Sequence, residues 1–205
     1  MKKLFTTLLR ELEANRAAVL CAIVASHGST PRGAGARMLV LEDGRTLGTI
    51  GGGAVEYRAT RLAGELLAEK ASRFETYRLS AGEVADVGMI CGGDVRVYFQ
   101  YVDPADAAAR EVLADALELL DGGHASWLVT EIAGGRWRMG TCDRENGLRG
   151  LEIPPARLEP LLGSRPLLDE VTFVPAENTT GTVKIPYTCV TTSNGSYTGT
   201  VTIFV

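Results

Sequence analysis

The sequence predicts an α/β fold, with α+β as the alternative: a layered mixed sheet with helices, followed by a C-terminal segment rich in β-hairpins. Three observations lead there. Apolar runs of strand length alternate with stretches of helical periodicity, but without strict βαβ regularity. Glycine-containing turns fall between alternating segments, where hairpins belong. From residue 171 to 205 the composition shifts to ten threonines with only two charged residues, Glu177 and Lys184, which favours β-strands over helices. The expected division is a domain over residues 1–165 and a threonine-rich β tail over 171–205, separated where Gly163 and Pro166 occur.

The first element is an amphipathic helix with Leu4, Phe5, Leu8, Leu9 and Leu12 on one face. Residues 17–26 (AAVLCAIVAS) form an apolar run expected to be a buried strand. Residues 37–41 and 45–50 alternate around Asp43-Gly44, a hairpin signal. From 53 to 70 the spacing of Val55, Ala59, Leu62, Ala63, Leu66 and Leu67 is helical. A strand at 74–79, a loop at 80–93 and an alternating strand at 94–102 (DVRVYFQYV) follow. Residues 104–120 read as a helix with Asp103 as its N-cap. Residues 125–132 and 136–140 read as a hairpin across Ala133-Gly134-Gly135. In the tail, alternating segments flank a Ser193-Asn194-Gly195-Ser196 turn, and Pro186 belongs at a sheet edge or a bulge.

At 205 residues the chain can bury a substantial core. Its net charge of −4 and pI near 5.3 give no electrostatic footprint for nucleic acid or an anionic membrane. Two lysines open the chain as in a signal peptide, but Arg10, Glu11 and Glu13 interrupt any apolar stretch behind them. With no apolar run of spanning length a soluble protein is expected, and a cytoplasmic one follows as the default for its reduced thiols. Cys21, Cys91, Cys142 and Cys189 are scattered and form no CxxC pair, so reduced thiols are expected rather than a zinc site or disulfide framework.

The densest signal is GSTPRGAGARMLVLEDGRTLGTIGGGAVE at 28–56, two glycine-rich turns flanking a strand pair. Gly51, Gly52 and Gly53 open the helix, so bare N–H groups at a positive helix end suit an anion such as phosphate. The competing reading is a tight strand-to-helix turn that needs positive φ. Neither turn has the Lys-Ser/Thr pair of a P-loop or the spacing of GxGxxG after a strand. With no acidic ribose partner and no visible acid/base pair, a small nucleotide-binding enzyme is disfavoured.

Together, GSTPRGAGARMLV, the DG turn, GTIGGGAVE and the downstream CGGDVRVYFQ resemble the XdhC/CoxI family of accessory proteins for molybdenum hydroxylases. The likeness runs over roughly the first two thirds of the chain. Longer members continue into a Rossmann-type domain with a GxGH-like turn, which nothing here matches; the tail is instead similar to the end of bacterial immunoglobulin-like or cadherin-like repeats.

The resemblance implies a non-catalytic maturation factor that binds molybdenum cofactor (molybdopterin) and assists its sulfuration or insertion into a xanthine dehydrogenase-like apo-enzyme. A cysteine desulfurase is a second implied partner, and a homo-oligomer the expected assembly. The alternative is an oligomerising or interaction module that has lost cofactor handling, with an exposed strand edge in the tail as its assembly element.

A pterin dithiolene with a terminal phosphate needs anion donors, polar groups at the pterin edge and a soft ligand near the metal. Under the resemblance, Gly51, Gly52 and Gly53 supply amides. Ser29, Thr30 and Arg32 lie in the first turn, where Arg32 can fork onto phosphate or an oxo group, or simply pair with a surface carboxylate. His27 beside them is expected to serve the strand end. Cys91, flanked by Gly92 and Gly93 that leave its sulfur accessible, is the candidate metal ligand or sulfur relay. Glu56 should point toward the glycine turn, either to hold a pterin nitrogen or to complement the helix dipole. Asp86 is expected to be solvated in its loop, and Cys21 to be core.

Overall fold

The computed structural model describes residues 1–79, 93–123, 125–133, 136–163, 167–168 and 186–192. Helix and strand are both present, and every strand pairing among the described residues is antiparallel, so of the two predicted classes the α+β layering is the one realised. Helix α1 (Lys2–Glu13) buries Leu4, Phe5, Leu8 and Leu12, the predicted stripe, with Leu9 at its margin. Strand β1 (Ala18–His27) pairs with β2 (Arg37–Leu41), and the Asp43-Gly44 turn returns the chain into β3 (Thr46–Gly48). Helix α2 (Gly53–Glu69) leads to β4 (Arg73–Arg78), and β5 (Asp94–Val102) completes a sheet of order β3-β2-β1-β5-β4.

Helix α3 (Ala107–Gly122) begins later than its apolar pattern suggests, because the aspartate that caps it is Asp106. Its side chain accepts from the Ala109 N–H at 3.1 Å. Asp103 instead closes a turn, accepting from the Ala105 N–H at 2.8 Å. Replacing Asp106 with alanine is expected to lower unfolding free energy by about 1 kcal/mol, measured as a shift in the urea midpoint. Asp103→Ala is expected to cost less, since it leaves the helix start capped.

The second sheet has the order β8-β7-β6-β10-β9. It comprises β6 (Ser126–Ala133), β7 (Arg136–Asp143), β8 (Gly147–Arg149), β9 (Leu167–Leu168) and β10 (Pro186–Thr192). Strand β10 comes from the threonine-rich stretch, and Pro186, its first residue, lies opposite Ala133, where a missing N–H is tolerated. Strand β10 pairs with β6 along its whole length and with β9 at Cys189 and Val190. The expected Ser193–Ser196 turn and the rest of the tail lie outside the described residues.

The core is layered by the two-residue alternation of the first sheet. Val19, Cys21, Ile23, Val40, Val97 and Phe99 face α2. Ala18, Leu20, Leu39 and Val102 face the other way, onto α1 and α3, in a cluster that also takes in Leu128 and Met139 of the second sheet. On that sheet's far side, Trp127, Val129 and Cys142 meet Leu158 of α4 (Pro155–Leu158) and Leu161 of the short 3₁₀ turn after it. Among the described residues no helix is long and apolar enough to cross a membrane.

Candidate functional site

The two glycine turns lie together at one end of the first sheet, where β1 and β3 both stop. A Cβ placed on Gly51 would lie 3.4 Å from Pro31 Cβ and 4.0 Å from Arg32 Cγ, so the second turn rests directly on the first. Gly93 closes the other side. Its Cβ would fall 2.4 Å from the His27 carbonyl oxygen, 2.5 Å from that of Ser29 and 2.9 Å from the Thr30 methyl. Only a bare backbone fits there. Three segments distant in sequence, 27–32, 51–53 and 93, therefore meet at one place. The Leu79 N–H donates to the Gly93 carbonyl at 2.8 Å, which holds the end of β4 beside the start of β5.

Within this junction Ser29 and Arg32 are exposed, as is His27. His27 Nδ1 lies 3.4 Å from Asp94 Oδ2, its partner across the β1–β5 ladder, which is the strand-end role expected of it. Cys91, Gly92 and Asp86 lie outside the described residues, with Cys91 two positions before Gly93 in the chain.

The triple glycine adopts positive φ throughout, at 134°, 75° and 58°, which lets a strand turn straight into α2. Glu56, one turn into the helix, points back at it as expected. Its Oε2 accepts from the Thr49 hydroxyl at 2.5 Å, the Gly52 N–H at 3.0 Å and the Ile50 N–H at 3.2 Å. The Gly51 N–H in turn donates to Thr49 Oγ1 at 3.1 Å. Two of the three glycine amides are thus engaged inside the turn. The N–H groups of Gly53, Ala54 and Val55, the true first turn of α2, have no acceptor among the described residues. Glu56 Oε1 likewise makes no hydrogen bond among them. Glu56 works as a reversed cap, satisfying donors that the helix itself cannot.

Cys21 lies on the α2-facing side of β1 and is fully buried. Burial pushes its thiol well above the ordinary range, and the nearby Glu56 charge adds to the shift, so it stays protonated and structural. Cys142 is pushed up to about 11, first by burial and then by Asp143, with Arg149 opposing. Both are free thiols, and among the described residues no group of acidic, histidine and cysteine side chains could hold a metal ion.

Sequence reasoning missed two cations beside the site. Lys3 in α1 and Arg37 at the start of β2 line a cavity shared with Arg32 and Thr49. Arg37 is only 6% exposed, with its guanidinium 5.8 Å from the Phe5 ring centre. An arginine heading an otherwise apolar strand (RMLVL) was the available signal, since arginine is rarely fully buried unless it is paired.

Residues 11–78 match the model of the XdhC and CoxI family. That span covers both glycine turns and Glu56, from the end of α1 through β4. Over 130 residues, 63% of its length, the chain is 38% identical to the uncharacterized protein YqeB of Escherichia coli. It is also similar to a crystal structure of a xanthine dehydrogenase from Bacillus halodurans, at 25% identity and a TM-score of 0.60 over 76% of the chain. The chain spans only 22% of the first relative's length and 47% of the second's.

Proposed function

Because residues 11–78 carry the XdhC and CoxI signature, we propose that this chain acts as a maturation factor for xanthine dehydrogenase-like molybdenum hydroxylases. In this reading it binds molybdenum cofactor and assists its sulfuration or insertion, without turning over a substrate of its own. The observation that carries the proposal is the convergence of the two glycine turns with Gly93, the third residue of the CGGD stretch, at one end of the sheet.

The residues present fit such a cofactor in kind. Arg32 offers an exposed guanidinium for an anion, and Ser29 a hydroxyl for a polar edge. Gly51, Gly52 and Gly53 form a surface without side chains, against which a flat ring system can lie closely. Glu56 holds that surface in shape through Oε2 and has Oε1 left to accept from a pterin N–H. Cys91, with Gly92 and Gly93, would supply a soft thiolate that ligates the metal, or that takes the outer sulfur of a desulfurase persulfide and releases the desulfurase thiolate. The cofactor itself would bring the molybdenum and its dithiolene. Partners under this reading are a molybdenum hydroxylase apo-enzyme and a cysteine desulfurase, met in the cytoplasm by a homo-oligomer.

Purifying the 205-residue chain from cells that make the cofactor, and measuring molybdenum and pterin per chain, tests this. Both are expected to co-purify stoichiometrically and to be lost from an Arg32→Ala, Cys91→Ala double variant. Retention unchanged in that variant would refute the site.

A further inference from the structure

The triple glycine is a poor seat for a phosphate once Glu56 is in place. Oε2 already takes the Ile50 and Gly52 amides and the Thr49 hydroxyl, and a second anion there would meet a like charge. Immediately next to it, a cavity of about 390 Å³ opens between the first turn of α1, the start of β2 and the end of β3. Among the described residues its lining includes Lys3, Arg32 and Arg37 and no acidic one. Gly48 keeps its walls close: φ is +86°, and a Cβ there would lie 2.4 Å from the Arg37 carbonyl oxygen. By contrast, the cavity of about 530 Å³ between α2 and β4 mixes Arg58, Arg61 and Arg78 with Glu65 and Glu75, and Arg61 lies 3.6 Å from Glu65. Among the described residues the charged lining of the smaller cavity is of one sign and that of the larger is mixed, and the smaller volume falls within the roughly 300–1,000 Å³ of small-molecule sites.

The geometry points to this cavity as an anion subsite for a phosphate monoester, held by Lys3 and Arg32 at its rim and Arg37 in its wall. Arginine matches phosphate oxygens with a planar pair of donors, and lysine adds a point charge. Arg32 also lies against Gly51, so one side chain joins the cavity to the glycine junction, and a ligand with a phosphate arm could span both. Naming that arm as the phosphate of a pterin cofactor rests on the function proposed above; the preference for a phosphate monoester does not.

Titrating the full chain with inorganic phosphate and with methyl phosphate, followed by amide NMR shifts, tests the assignment. Saturable shifts are expected at Gly35, Ala36, Gly48 and Thr49. Lys3→Glu, at an exposed position, is expected to weaken binding about tenfold or more, the loss of one charge-assisted contact. Shifts confined to Gly53, Ala54 and Val55, no saturable binding, or unchanged affinity in a folded Lys3→Glu chain would each overturn it. Phosphate binding here without cofactor binding upholds the cavity and sinks the functional reading. Cofactor retention with phosphate affinity undiminished by Lys3→Glu does the reverse.

Discussion

Gly93→Ala is expected to destabilise the protein by about 3 kcal/mol, the upper end of the range for forcing a group into a packed site. The added methyl would meet two carbonyl oxygens of the first turn, His27 at 2.4 Å and Ser29 at 2.5 Å, as well as the Thr30 methyl. Backbone atoms cannot rotate away as a flexible side-chain tip can. Relief requires β5 to retreat from the 27–30 segment, pulling on the Leu79–Gly93 hydrogen bond and the His27–Asp94 pair. Urea unfolding measures the loss. Under the proposed function, cofactor retention should fall in the same variant even at low temperature, where it remains folded. A change below about 1 kcal/mol would mean that the first turn yields freely, and that the three motifs are neighbours without being a fixed site.

Glu56→Ala is expected to cost about 2–3 kcal/mol, since it removes a charged acceptor shared by three donors. Water can reach this half-buried turn, which keeps the loss below that of a fully interior network. Glu56→Gln retains one acceptor oxygen without its charge and is expected to cost about half as much. The same variants reverse the local electrostatics. With the carboxylate gone, the Ile50 and Gly52 amides join those of Gly53, Ala54 and Val55 at a positive helix end. Phosphate shifts should then appear at Gly53, Ala54 and Val55 in Glu56→Ala and be absent from those three positions in the parent chain. Denaturation and NMR titration on the same samples check the two halves of this expectation separately.

Local chemistry made much of this legible. The heptad-like stripe of α1, the apolar run of β1 and the Asp43-Gly44 hairpin all follow from patterns a few residues long. The glycine turns announced themselves by composition. What could not be read were choices between near-equivalent residues and pairings across long separations. Asp103 and Asp106 are both good caps three residues apart, and only the path of the chain after β5 selects the second. Strand β10 alternates as a strand should, yet alternation does not disclose that its partner is β6, residues 126–133. The anion donors of the triple glycine read correctly as a turn opening a helix, but Glu56's occupation of two backbone donors depends on rotamer and reach. Lys3 and Arg37 were missed because a cavity assembled from α1, β2 and β3 leaves no contiguous motif.

The placement of α3 carries a consequence for how the molecule comes apart. Ala109, Val112, Leu113 and Ala116 share one apolar cluster with Leu20 of the first sheet and with Leu128 and Met139 of the second. Neither sheet can shed the other without uncovering that cluster to water. The polar contacts of Asp115 with Thr141 and Arg149 pin the same helix to the second sheet. Melting should therefore be all-or-none across both sheets, so that the glycine junction at the His27 end of β1 is expected to come apart together with α3.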